Sequence, residues 1–121
     1  MTKQPKVAVI IDDDPDWLSI FDESLVSAGF TVQRCQTFCD NPDASVFLVD
    51  ARDEWEDVVG PGFVRTLRSS HPRAVIIGMS STLNYTQPGA TGTVQAQFLL
   101  AGANGVWNKS DSLAALLSLL K

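Results

Sequence analysis

The sequence is short of positive charge, of cysteine and of long apolar runs, and each shortage removes a class of function. Nine Lys and Arg stand against 14 Asp and Glu, for a formal net charge of −5. A domain that grips phosphate backbones carries the opposite sign, so direct nucleic-acid binding is not expected. No stretch approaches the roughly 18 apolar residues of a membrane helix, and the first residues lack the apolar segment of a secretory signal. No membrane association is expected, and a cytoplasmic location is. The two cysteines, Cys35 and Cys39, are spaced C-x-x-x-C, which fits neither a zinc site with its second pair nor a C-x-x-C redox motif; reduced thiols are expected. No internal repeat or low-complexity tract breaks the chain, and 121 residues with 45% hydrophobic content suffice for one domain with one core, read here as residues 1–121.

What is present is an alternation of apolar strands and amphipathic helices. Val7–Ile11 form an apolar run, after which Asp14 caps a helix with Pro15 at its first position, Leu18, Phe21 and Leu25 on one face, and Gly29 at its end. "FTVQRC" (30–35) and "SVFLVD" (45–50) read as further strands, the latter buried on both faces because it shows no alternation. Little room for a helix is left between them, so the second helix is expected to be short or missing. "GFVRTLRSS" (62–70), "AVIIGMSS" (74–81), "TVQAQFLLAGA" (93–103) and "GVWNK" (105–109) then predict helix, strand, helix and strand. A last helix is capped by Ser110 and carries Leu113, Leu116, Leu117 and Leu120. This order predicts an α/β fold, a doubly wound five-stranded parallel sheet of flavodoxin-like topology.

In such sheets the ligand site lies beyond the carboxyl ends of the strands. The residues there are Asp12, Asp13, Asp50, Ser80 and Lys109. Three acids gathered at buried strand ends need a cation, and a hard divalent ion with oxygen ligands, Mg²⁺ above all, neutralises them while keeping positions open for a phosphoryl group. Phosphoryl transfer asks for an in-line nucleophile and for neutralisation of the charge on the equatorial oxygens. Asp50 supplies the nucleophile, Asp12 and Asp13 hold the metal, and Lys109 and the Ser80 hydroxyl take phosphoryl oxygens.

The acidic pair in "VIIDDDP", the acid in "VFLVDAR", the hydroxyl in "IIGMSS" and the lysine in "AGANGVWNKS" together resemble the CheY-like receiver domain of two-component response regulators. The likeness spans residues 7 to 110. It implies Asp50 as the phosphorylation site, Asp13 as a direct metal ligand, Asp12 as a ligand directly or through water, and the backbone carbonyl of Arg52 as a further ligand. Ser80 stands at the family's switch hydroxyl and Lys109 at its lysine. The implied role is a stand-alone receiver, without an effector domain and without enzymatic turnover beyond self-phosphotransfer and slow autodephosphorylation. It would take its phosphoryl group from a sensor histidine kinase or a histidine phosphotransfer protein and signal to a downstream protein.

The sequence departs from that family at several points. Val106 stands where an aromatic residue reports phosphorylation, and Trp107 beside it is expected to point to the other side of the strand and pack in the core. Ser110 replaces the proline that follows the lysine, which makes a trans bond the cheaper form. The loops "ARDEWEDVVGPG" and "STLNYTQPGATG" are long and flank the acceptor. The acidic run Asp53, Glu54, Glu56 and Asp57 is read as a solvated loop with Trp55 tucked onto the domain, against a surface that selects a basic partner. Arg52 and Thr82 are placed to affect water access. Trp17 either overhangs the acids or packs, His71 has no partner legible in the sequence, and Leu119 falls outside the core face, which points to a partner or homodimer surface.

Two rival functions follow from the same residues. A receiver-like interaction module independent of phosphorylation accommodates Val106 and Ser110. A haloacid-dehalogenase-like phosphohydrolase would use Asp12-x-Asp14, Ser80 and Lys109, though the later acid pair of that family is missing.

Overall fold

The computed structural model describes residues 6–120. Five strands, β1 (Lys6–Ile11), β2 (Phe30–Cys35), β3 (Ala44–Asp50), β4 (Val75–Ser80) and β5 (Gly105–Asn108), pair in parallel in the order β2-β1-β3-β4-β5. The helices are α1 (Pro15–Ser27), α2 (Gly60–Ser70), α3 (Val94–Ala101) and α4 (Leu113–Leu119). This is the expected doubly wound arrangement, with β2 followed directly by β3 and no helix between them.

Period-2 side-chain alternation splits the sheet's apolar residues between two cores. Ala8, Ile10, Leu48, Ile77, Met79 and Trp107 face one side and pack under α1 and α4 with Phe21, Leu25 and Leu116. Val9, Ile11, Phe47, Val49 and Ile76 face the other and pack under α2 and α3 with Val64, Leu67, Val94 and Phe98. The central strands are therefore apolar on both faces, the reason "VFLV" shows no alternation. Trp107 is in the first core, T-shaped against Phe21 and Trp17, while Val106 packs against the second. The two neighbours point to opposite sides, as alternation requires.

Two glycines set the spacing on the α2/α3 side. A Cβ at Gly78 would lie 2.4 Å from the Phe98 ring, and one at Gly60 would lie 2.4 Å from the Asp50 carbonyl oxygen and 2.9 Å from that ring. Phe98 thus fills the volume of two absent side chains, and the start of α2 rests on the backbone of Asp50.

Three local expectations are corrected. Cys35 and Cys39 form a disulfide rather than two free thiols, because the turn after β2 returns their Cα atoms to 6.3 Å, within bonding reach. Ser112, not Ser110, caps α4 by accepting from Ala115 N–H, since Ser110 is committed to the preceding turn through Asn108 Oδ1. Trp55 is 76% exposed rather than tucked in. Asp53 Oδ1 accepts from Trp55 N–H and Asp57 N–H, and Glu56 takes a left-handed φ of 64°, so the turn closes on itself and directs the indole outward. His71 does find a partner, Asp40, at 2.6 Å, and its ring lies against Phe47. Among the described residues no helix is long and apolar enough to cross a membrane.

Candidate functional site

The ends of β1, β3, β4 and β5 open into a cavity of about 420 Å³, lined by Asp12, Asp13, Asp50, Ser80 and Lys109 among others. Each side chain is placed by its element. Asp12 follows the last residue of β1, held there by its N–H on the Cys35 carbonyl; Asp50 and Ser80 close β3 and β4. Lys109 follows β5, its N–H on the Ser80 carbonyl. All five predicted residues line this one cavity, and the bond from Lys109 to Ser110 is trans, no cis peptide occurring among the described residues.

Lys109 Nζ lies 2.8 Å from Asp12 Oδ2 and 2.7 Å from Asp50 Oδ1, with only 10% of its side chain exposed. Its charge also lies 5.1 Å from the Trp17 ring centroid. Trp17 therefore both overhangs the site and packs, since its ring stacks on Phe21. The remaining carboxylate oxygens hold backbone: Asp12 Oδ1 accepts from Asp14 N–H at 3.0 Å, and Asp50 Oδ2 from Arg52 N–H at 3.3 Å. Asp13 makes no hydrogen bond or ion pair through its side chain among the described residues. Asp14, which also lines the cavity, caps α1 by accepting from Asp16 N–H through one carboxylate oxygen.

Burial disfavours the charged acids. It pushes Asp12 above the ordinary aspartate range against the hydrogen bond and charge of Lys109. Asp50 rises to about 6, first through burial and then through the Asp12 charge, with Lys109 opposing. At Lys109 burial works against the ammonium, but Asp50 and Asp12 outweigh it and raise the pKa above the usual lysine value. The site at neutral pH thus holds a buried, ionised Asp50 beside a secure ammonium.

One ammonium between three acids leaves the cluster negative. Asp12, Asp13 and Asp50 each offer a carboxylate oxygen, and these oxygens lie within 4.8 Å of one another. All-oxygen donors at that spacing, with the unpartnered Asp13 among them, suit a hard divalent cation.

Across the cavity lies a set of contacts that the sequence did not disclose. The Arg52 guanidinium donates to Glu56 Oε2 at 3.0 Å and to Thr82 Oγ1 at 3.2 Å, and it lies 4.9 Å from the centre of the Tyr85 ring. Thr82 in turn donates its N–H to Ser80 Oγ at 2.9 Å. Arg52 Nε is buried with no hydrogen-bond partner among the described residues, a condition that costs about 1–3 kcal/mol for a neutral donor and more for a charged one.

No protein-family model matches the sequence, and the comparison with curated proteins likewise returns no match. Solved structures do match. A response regulator from Burkholderia pseudomallei, crystallised with a phosphorylated aspartic acid, a calcium ion and citrate, superposes with a TM-score of 0.75 at 17% identity over 96% of this chain and 66% of its own. This chain has the fold of a response-regulator receiver domain. A receiver protein from Pseudoalteromonas atlantica gives 0.76 at 17% identity over 93% and 92% of the two chains, and a CheY-type chemotaxis protein of Vibrio cholerae gives 0.70 at 19% over 97% of each. The receiver fold, the acid cluster and the strand-end lysine thus occur together in this chain.

Proposed function

We propose that this receiver-fold chain is a phosphoacceptor, with Asp50 as the acceptor and a phosphohistidine of a sensor kinase or phosphotransfer protein as the donor. The observation that carries this reading is the Asp50 carboxylate, buried at the end of β3, 2.7 Å from Lys109 Nζ and within 4.8 Å of Asp12 and Asp13 ligand oxygens. An Asp50 oxygen forms a P–O bond as the donor's P–N bond breaks, and the electron pair of that bond returns to the imidazole nitrogen. Water later cleaves the acyl phosphate to inorganic phosphate and restores the carboxylate, so the chain acts as a slow self-dephosphorylating switch rather than an enzyme of external substrates. Mg²⁺ held by Asp12, Asp13, Asp50 and the Arg52 carbonyl would neutralise the phosphoryl oxygens and the acid cluster.

Lys109 exchanges a carboxylate oxygen for a phosphoryl oxygen, and Ser80 Oγ is the hydroxyl at the neighbouring strand end. The outcome is a shift between two states, read by a downstream protein. Leu99 and Leu100 of α3 and Leu119 of α4 are exposed on the two helices that flank the β5 edge, the region that we assign to such contacts, a second copy of the chain included.

The test is intact-mass measurement after incubation with a small phosphodonor and Mg²⁺. A gain of one phosphoryl group that is absent in Asp50→Asn is expected. A wild-type chain that gains no mass overturns the assignment and leaves the phosphorylation-independent module in its place; a variant that gains it equally moves the phosphoryl group to another residue and overturns Asp50 as the acceptor.

A further inference from the structure

The Arg52 side chain has no part in the chemistry above, yet it stands between the acceptor and the loop after β4. Its base is tied to the acceptor, because Arg52 N–H donates to Asp50 Oδ2. Arg52 lines the same cavity as Asp50 and Lys109. Its present partners hold it loosely: Glu56 is a surface carboxylate, 77% exposed, Thr82 gives a neutral hydroxyl, and Tyr85 a ring face. Its Nε donor is buried and has no hydrogen-bond partner among the described residues.

A phosphoryl group on Asp50 would change that balance. It brings a charge of about −1.5 to −2 and three strong acceptor oxygens, and a planar guanidinium matches phosphate by paired donation better than it matches a single exposed carboxylate oxygen. Tyr85 is also wired to a helix: its carbonyl accepts from Val94 N–H at 2.8 Å, the first residue of α3, and Leu83 accepts from Gln95 N–H at 3.0 Å. Val106 on β5 carries no ring and is packed against the α2/α3 core.

We propose that the Arg52 side chain reads the phosphoryl state of Asp50: its guanidinium leaves the Glu56 carboxylate and the Tyr85 ring for the phosphoryl oxygens, and the freed Tyr85 loop passes the change to the start of α3. This rests on Asp50 being phosphorylated, and the experiment separates the two claims. Tyr85 is the single tyrosine of the sequence, so 3-fluorotyrosine incorporation gives a ¹⁹F signal from this ring alone. Arg52→Ala without phosphodonor defines the resonance of an unstacked ring, and Arg52→Met supplies the same reference with the aliphatic stem kept if the alanine variant does not fold.

On incubation of the wild type with phosphodonor and Mg²⁺, the resonance moves toward that reference in proportion to the fraction phosphorylated, measured by intact mass in the same sample. Glu56→Gln, which loosens the resting anchor, moves it part of the way with no donor present. A wild type that gains the phosphoryl mass while its resonance stays in place, or moves away from the reference, overturns the Arg52 proposal and leaves the acceptor assignment standing. A wild type that gains no mass ends both.

Discussion

On one wall of the cavity Lys109 is almost wholly buried and touches two carboxylates fixed at strand ends; on the other, Arg52 divides its donors among a surface glutamate, a loop hydroxyl and a ring. Both residues line the same cavity, but only the lysine's charge touches the strand-end acids. The first is held by β-ladder geometry and cannot leave without stranding buried charge, whereas the second is held by loops and can be exchanged at small cost. A fixed cation suits neutralisation of a reacting group, and an exchangeable one suits reporting its state.

That contrast can be broken most severely at Lys109. Lys109→Ala leaves Asp12 and Asp50 buried without their partner, and a loss of about 3–5 kcal/mol in the metal-free protein is expected from urea unfolding in chelator. Magnesium should restore part of that loss, and an unfolding midpoint unchanged by the substitution would mean that the pair is not buried in solution.

Acidity comes next. Asp50 titrates near pH 6 in the folded protein against 3.8 for a free aspartate, through burial and then the Asp12 charge. A raised acid pKa means that the folded state holds its proton where the unfolded chain has lost it. This group therefore contributes stability that is complete below about pH 4 and is lost as pH rises through about 6 in the absence of metal. A cation must displace the same proton, so Mg²⁺ affinity measured by calorimetry should fall by up to about tenfold per unit below pH 6 and level off above it.

The smallest effect is expected on the loop side. Glu56→Ala removes an exposed ion pair, and unfolding should register only about 0.2–1 kcal/mol. A loss as large as that at Lys109 would erase the distinction between the two walls.

The strand-end side was legible in the sequence because its cause is local and repetitive. Buried parallel strands show as unbroken apolar runs, and the residue that ends each run must lie at the same edge of the sheet; Asp12, Asp50, Ser80 and Lys109 follow from that alone. The missing helix was legible too, since "QTFCDNPDA" is too short and too turn-rich to supply one. The loop side was not, because its contacts join residues far apart in the chain. The grip of Arg52 on Thr82 and Tyr85 depends on how two irregular segments fold over each other, and no periodicity encodes that. The outward turn of Trp55 depends on one carboxylate, that of Asp53, capturing two backbone N–H groups. The Cys35–Cys39 bond arises from a loop that doubles back after an edge strand, which spacing read against metal and redox motifs could not show.

The ring of Phe98, seated where Gly60 and Gly78 carry no side chain, acts as a gauge block between the sheet and two helices. Substitution at these three positions is consequently correlated: a bulkier residue at 78 calls for a slimmer one at 98, and any increase at 60 bears directly on the main chain of Asp50. The thickness of this layer and the placement of the acidic pocket are thus one mechanical quantity, set at a point that no reactant ever meets.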